Sequence, residues 1–284
     1  MKAETLLDTL ASWLGMPVYA APLSHCLISR PYLLERAGIP SCGTAILFAI
    51  PYLMIEDISD PARNLSLYAV PRDYHGYVKE LSDALVPRLT KLFSGNRFTL
   101  FADHSPIAEV DAAARAGLGV RGENGLLLTR DYGSFVFIAE ICTDLDYKSV
   151  TGGKSEDDFL AEPPSCERCG ACLRACPARQ GGEWVAPCLS ALTQKKGILT
   201  AEEEARLREH PLVWGCDACQ MVCPHNRRVQ NTPISYFREG RLTHVSLDIL
   251  NGMTDAEFRS RAYAWRGRAV IQRNLILQNK EEQA

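Results

Sequence analysis

The chain has 284 residues, 46% of them hydrophobic, which allows one large domain or two small ones around a real core. Its formal net charge of -3 gives no sign of nucleic-acid binding, and no run of about 18 apolar residues exists, so neither a membrane span nor a membrane partner is expected. The opening MKAETLLDTLASWLG carries acids and reads as an amphipathic helix, without the basic start and apolar stretch of a secretory signal, so a cytoplasmic location is expected.

In chain order, residues 45–50 form a short apolar run that suits a buried strand. Residues 73–92 read as a helix with Val78, Leu81, Leu85, Leu89 and Leu92 on its apolar face, and residues 97–102 as a strand. Ser105-Pro106 has the form of an N-cap and first-turn proline, predicting a helix that ends near Gly117. Residues 126–129 and 134–141 look like paired strands about the turn Arg130-Asp131-Tyr132-Gly133. No P-loop is present, and no nucleotide site is expected. Residues 149–165 are polar and rich in Gly, Pro and acids, as linkers are.

Eleven cysteines in a reducing compartment point to metal ligation rather than disulfides. Cys26, Cys42 and Cys142 stand alone, as buried free thiols do, and the other eight fall between Cys166 and Cys223. Cys166, Cys169, Cys172 and Cys176-Pro177 make a C-x2-C-x2-C-x3-C-P run, the signature of bacterial ferredoxins. Three closely spaced thiolates wrap one face of a cubane, and the proline turns the fourth towards a second cluster. Zinc would need only four ligands, usually as two separated pairs. Cys216, Cys219 and Cys223-Pro224 repeat the end of the motif, with Cys188 as the available first cysteine. Crossing the fourth ligands gives two 4Fe-4S clusters, one on Cys166, Cys169, Cys172 and Cys223, the other on Cys176, Cys188, Cys216 and Cys219. Between Cys188 and Cys216, Thr200-Ala-Glu-Glu203 is a capping box that starts a helix through about Glu209.

The flanking motifs resemble those of epoxyqueuosine reductases. Tyr68-Ala-Val-Pro-Arg72-Asp-Tyr-His75 is similar to their Y-A-x-G-R-D-Y-H segment, and Asp103-His-Ser-Pro106-Ile-Ala-Glu109 to their D-T-G-P-x-x-E segment. Ala116-Gly-Leu-Gly119 with Gly122, Asn124 and residues 126–128, then Gly133-Ser-Phe and Glu140-Ile-Cys-Thr-Asp144, follow in the same order. Trp214-Gly-Cys-Asp217-Ala-Cys-Gln carries the G-C-D-x-C-Q core of the second cluster motif. The chain departs from the family pattern at Ser105, Val110, Val120 and Glu123.

The resemblance implies an N-terminal α/β domain (1–150) that binds cobalamin and carries catalysis, a two-cluster ferredoxin-like module (165–226) and a short helical tail (227–284), an α+β to α/β chain overall. It implies reduction of epoxyqueuosine to queuosine at the wobble position of tRNA, with a low-potential donor such as flavodoxin or ferredoxin supplying electrons. Asp103 takes the place of the family's proton donor, a role open to a carboxyl whose pKa is raised by apolar surroundings. His75, Ser190, Asp217 and Asp103 are the implied cobalamin contacts. No D-x-H-x-x-G motif is present, so cobalt ligation by a histidine of that motif is not implied. A related corrinoid iron–sulfur reductase of a small molecule and a non-enzymatic electron carrier are the alternatives. In the tail, Arg259, Arg261, Arg266, Arg268 and Arg273 occur without an acid among them, interleaved with Tyr263 and Trp265. That pattern suits either a solvated helix face or contact with tRNA phosphates and bases.

Overall fold

The computed structural model describes residues 5–278, and the chain divides into two compact units interleaved in sequence. One comprises Met1–Pro51 with His75–Arg168, the other Tyr52–Tyr74 with Cys169–Ala284. The contiguous boundaries expected from the sequence, 1–150, 165–226 and 227–284, therefore miss the Tyr52–Tyr74 excursion. They also separate the tail from the cysteine module, with which it shares a unit.

In the first unit, α1 (Leu6–Leu14) starts at a capping box in which Thr5 and Asp8 satisfy each other's backbone N–H groups, and it buries Leu6 and Leu10. It is followed by β1 (Val18–Pro22), α2 (Pro31–Ala37), β2 (Thr44–Pro51), α3 (Tyr74–Leu92), β3 (Phe98–Ala102), α4 (Glu109–Arg115), β4 (Val120–Arg121), β5 (Leu127–Leu128), β6 (Val136–Thr143) and α5 (Tyr147–Thr151). The strands β1-β2-β6-β3 form one sheet, antiparallel at every step. The apolar run expected as a buried strand is β2, in which all residues but Ala49 are buried. Ala45 and Leu47 pack with Leu23, Ile107, Cys142 and the alanines Ala112, Ala113 and Ala114 of α4, so that helix lies on one face of the sheet.

Two expectations in this unit are corrected. Residues 105–108 are not the start of a helix. Pro106 O accepts from the N–H groups of Ser29 (2.8 Å) and Arg30 (3.1 Å), and the Ala108 N–H donates to Leu27 O (2.9 Å), so this stretch runs against residues 27–30. The Ser105 hydroxyl caps locally, accepting from the Ile107 N–H, and α4 opens only at Glu109. The second correction concerns the strand about residues 126–129. β5 pairs with β4, not with β6, which is taken on both edges by β2 and β3. Only the base of the turn is paired, through Thr129 and Gly133. Cys142 is buried and Cys26 half-buried, as free thiols were expected to be, but Cys42 is exposed.

The second unit is built from short helices: α6 (Ala171–Ala175), α7 (Leu189–Thr193), α8 (Ala201–Glu209), α9 (Ala218–Met221), α10 (Ser235–Arg238), α11 (Leu247–Gly252), α12 (Asp255–Arg259) and α13 (Arg268–Gln278), with a small hairpin of β7 (Arg179–Gln180) and β8 (Glu183–Trp184) after α6. The capping box at Thr200 is formed and opens α8 as the sequence predicts. The core gathers Leu65, Val70, Trp214, Phe258, Tyr263, Ile271 and Leu275, with Trp214 edge-on to Tyr263 at 6.1 Å. The Tyr52–Tyr74 segment is tied in by backbone bonds from Ser66 N–H to Trp214 O (2.9 Å) and from Val213 N–H to Asn64 O (2.8 Å). Side-chain amides fasten the rest. Asn274 donates to Thr193 O and Val213 O, both at 2.8 Å, and Gln278 to the carbonyls of Leu207, His210 and Leu212. Among the described residues no helix is long and apolar enough to cross a membrane.

Candidate functional site

In the first unit the candidate acid, Asp103, lies at the tip of the turn after β3. It is exposed, and it is one of two non-glycine described residues with a left-handed backbone, at φ 62°. The turn is held from both sides. The Asp103 N–H donates to Glu109 Oε1 at 2.9 Å, the Arg30 guanidinium donates to Ser105 O at 2.9 Å, and Tyr32 Oη meets His104 Nε2 at 2.8 Å. Behind the turn stands a second carboxyl, Glu140 of β6, fully buried and facing Glu109. Burial pushes Glu109 up to about 7, with the neighbouring Asp103 adding to the rise and the Asp103 N–H pulling back. Burial and then the Glu109 charge drive Glu140 well above the ordinary carboxyl value.

Sequence reasoning identified Asp103 and passed over this pair. The signal was nonetheless present, because Glu140 is an acid inside the strand Val-Phe-Ile-Ala-Glu-Ile-Cys. Strand alternation puts it on the same buried face as Cys142.

None of the eleven cysteines forms a disulfide. Cys166 closes the first unit, its N–H bonded to Arg121 O at 3.0 Å, and the other seven candidate ligands lie in the second. Cys172 is on α6, Cys188 caps α7, Cys216 precedes α9 and Cys219 is on it. Cys188 and Cys176 are close enough to Cys216 for their charges to add to the rise that burial imposes on its thiol. Among the described residues no three His, Cys, Asp or Glu side chains converge on a single-ion site.

Gly215 shows why the second motif reads Gly-Cys-Asp. Its φ is +77°, and a Cβ there would sit 2.0 Å from Ser66 Oγ, so only glycine lets Cys216 follow Trp214 at this distance from the Tyr52–Tyr74 segment. A cavity of about 520 Å³ opens beside Cys216, lined also by Arg63, Leu189, Arg206, His210 and Asp217.

The three further candidate contacts differ in what they offer. Asp217 is buried, and its carboxylate accepts from the Arg63 guanidinium (2.7 Å) and from the Leu67 N–H (3.1 and 3.2 Å), so it serves as an internal staple. Ser190 is half-buried on α7, 3.3 Å from the Gln194 amide, which also reaches the Tyr68 hydroxyl at 3.3 Å. His75 is exposed in the first turn of α3.

Residues 165–226 match the family model of the 4Fe-4S double cluster binding domain. An epoxyqueuosine reductase from Burkholderia pseudomallei is 36% identical over 215 residues, 72% of this chain and 51% of that one. The epoxyqueuosine reductase of a Synechocystis strain is 32% identical over 236 residues, covering 79% of this chain and 77% of its own. This chain belongs to the epoxyqueuosine reductase family. It spans about half the length of several curated relatives it matches. A crystal structure of an epoxyqueuosine reductase with an epoxyqueuosine-modified tRNA-Tyr stem loop superposes with a TM-score of 0.68 at 25% identity, over 96% of this chain and 79% of that one. Cluster binding by the cysteine module is thus a family property, and the two-unit chain has the family fold.

Within this member of the epoxyqueuosine reductase family, the tail departs from a simple basic face. Arg268 donates to Leu250 O (2.6 Å) and Met253 O (2.8 Å), Arg273 to Lys195 O (2.8 Å), and Arg261 to Gly240 O (2.8 Å). Tyr263 is fully buried in the core, which takes it away from any base. Arg259 and Trp265 stay exposed, and Arg266 stacks on the Trp265 ring at 3.7 Å. Three of the five arginines are therefore fasteners, a use that charge spacing alone does not distinguish from a phosphate-binding stripe.

Proposed function

We propose that this chain reduces epoxyqueuosine to queuosine at the wobble position of tRNA, using cobalamin and two 4Fe-4S clusters fed by a low-potential donor such as flavodoxin or ferredoxin. The observation that carries the reading is the Asp103 turn, an exposed aspartate in a left-handed conformation held by Glu109 at the position of the family's acid. The related structure solved with a modified tRNA stem loop supports the substrate class.

The donor sets suit the groups they would hold. Cys176 and Cys188 are both neighbours of Cys216, which fits one cluster with Cys219 as its fourth ligand. Cys166, Cys169, Cys172 and Cys223 would hold the other. Ser190 and the exposed His75 fit polar contacts to the amide-rich rim of a corrinoid, whereas Asp217 is already taken by Arg63. Cobalamin, when bound and reduced, supplies a strongly reducing cobalt centre for opening an epoxide C–O bond. Asp103 is the residue placed to deliver a proton to the epoxide oxygen as negative charge builds there. Arg30, Tyr32 and Glu109 orient the turn that carries it.

The test is to load the chain anaerobically, assay iron, sulfide and cobalt, and follow conversion of epoxyqueuosine-containing tRNA by the wild type and Asp103→Asn. Asn is nearly isosteric but delivers no proton. The variant is expected to keep its cofactors and lose turnover by roughly 100- to 10,000-fold. A variant as fast as the wild type removes Asp103 from the mechanism. If a fully loaded wild type leaves that tRNA unchanged, the assignment passes to a corrinoid reductase of a small molecule.

A further inference from the structure

Glu140 occupies a place where an ionised carboxylate is costly. It is 0% exposed on the central strand β6, between Leu47 of β2 and Phe101 of β3. Neither of its oxygens meets a well-formed hydrogen-bond donor, although the Ser105 side chain lies beside it. What it faces is the Glu109 carboxyl. Two ionised carboxylates offer acceptors only, and like charges this close in an apolar site do not both ionise. One proton resolves the conflict, because Glu140 as the acid donates to Glu109 as the carboxylate.

Glu109 is then an ionised acceptor whose Oε1 takes the Asp103 N–H at 2.9 Å. That bond is made by the residue whose φ of 62° is disfavoured for a side chain with a Cβ. We propose that Glu109 and Glu140 hold one proton between them as an acid–carboxylate pair, and that through this pair Glu109 is the positioning residue for the Asp103 turn. The second half rests on Asp103 being the acid.

The groups facing the pair are few. Asp103 and the Arg30 cation face Glu109. The Cys142 and Cys26 thiols, both pushed up by burial, are near Glu140, with Asp111 and Arg115 around Cys26. The Ser105 hydroxyl pulls Glu140 back towards its charged form, and burial and the Glu109 charge outweigh it.

The sign of the pH dependence follows. Burial and the Glu109 charge drive Glu140 well above the ordinary carboxyl value, so the folded chain keeps on Glu140 a proton that the unfolded chain has released at neutral pH. The stabilisation is complete below the ordinary glutamate value of 4.5 and is lost only as pH rises through the raised value of Glu140. Above that, repulsion within the pair loosens the Asp103 turn, and kcat falls. Glu140→Gln donates to Glu109 at any pH, so it removes this limb of the profile.

The test is an infrared pH titration of the loaded full-length chain, wild type against Glu140→Gln, with kinetics on Glu109→Ala and Glu109→Gln. The carbonyl stretch of a protonated, buried carboxyl is expected to persist in the wild type well above the ordinary carboxyl range and to be absent from Glu140→Gln. A wild type with no such band above about pH 5, where ordinary carboxyls have ionised, overturns the shared proton. Glu109→Ala is expected to lower kcat by roughly 10- to 100-fold with KM little changed, the scale of a small misplacement of a reacting group. Glu109→Gln, whose amide oxygen still accepts from the Asp103 N–H, is expected to recover most of that loss. If Glu109→Ala turns over at the wild-type rate while Asp103→Asn is inactive, the positioning role is overturned and the acid assignment stands. If Asp103→Asn is fully active, the acid assignment falls and the positioning role with it, and the infrared band still decides the shared proton.

Discussion

The two units solve the problem of holding a chain in place by different means. The first relies on its backbone: four antiparallel strands, with β2 buried almost throughout, give most of the structure a repetitive ladder. The second has a single two-stranded hairpin among its described residues and helices of four to eleven residues, too short to be stable alone. It is held instead by side chains that reach carbonyl oxygens: Asn274 and Gln278 of α13, Asn64 to Val245 O, and Arg268 and Arg273. A module that must present thiols from loops has little regular backbone pairing to spend. Specific polar staples replace it, and each is a single point of failure.

The contrast can be broken from either side. The largest effect is expected from Phe48→Ala, which empties a fully buried position in β2 and should cost about 3–5 kcal/mol, read as faster hydrogen exchange along β2 and β6. In the second unit Asn274→Ala removes both donors from two carbonyls while deleting almost no apolar surface. Each hydrogen bond is worth about 0.5–1.5 kcal/mol net, so a loss of roughly 1–3 kcal/mol is expected in chemical denaturation. An unchanged midpoint would show that the staples are decoration and the core alone suffices. The smallest effect sharpens the comparison. Thr200→Ala removes a helix cap, worth about 1 kcal/mol, and should loosen only the amides of α8, whatever the surrounding architecture.

The same contrast explains what was legible in the sequence. Strand β2 and helix α3 announce themselves because period and burial coincide over many residues, and the capping box at Thr200 is a local rule that the structure obeys. The start of α4 was misread because Ser105-Pro106 has helix-opening chemistry, while bonds to Ser29 and Arg30, far away in sequence, hold that stretch extended. The pairing of β5 with β4 was missed for a similar reason, since a turn-like Arg-Asp-Tyr-Gly favoured the nearer partner. Motif spacing exposed the cysteine ligand candidates and Asp103. It could not expose Glu109 and Glu140 as a pair, because strand β6 and the first turn of α4 meet only through the folded sheet. Nor could it separate arginines that fasten carbonyls from arginines that face solvent.

The interleaving of the two units has a consequence for the chain as it is made. The Leu67 N–H and the Asp217 carboxylate that accepts from it are 150 residues apart. At roughly 5–20 residues per second, the Tyr52–Tyr74 segment leaves the ribosome about 8–30 s before that partner is synthesised. During that interval Leu65, Ala69 and Val70, which end fully buried, are apolar residues without their core. Translation order thus leaves a sticky, half-complete segment waiting while most of the other unit is made, and it sets the interval over which a nascent chain of this family must be kept from aggregating.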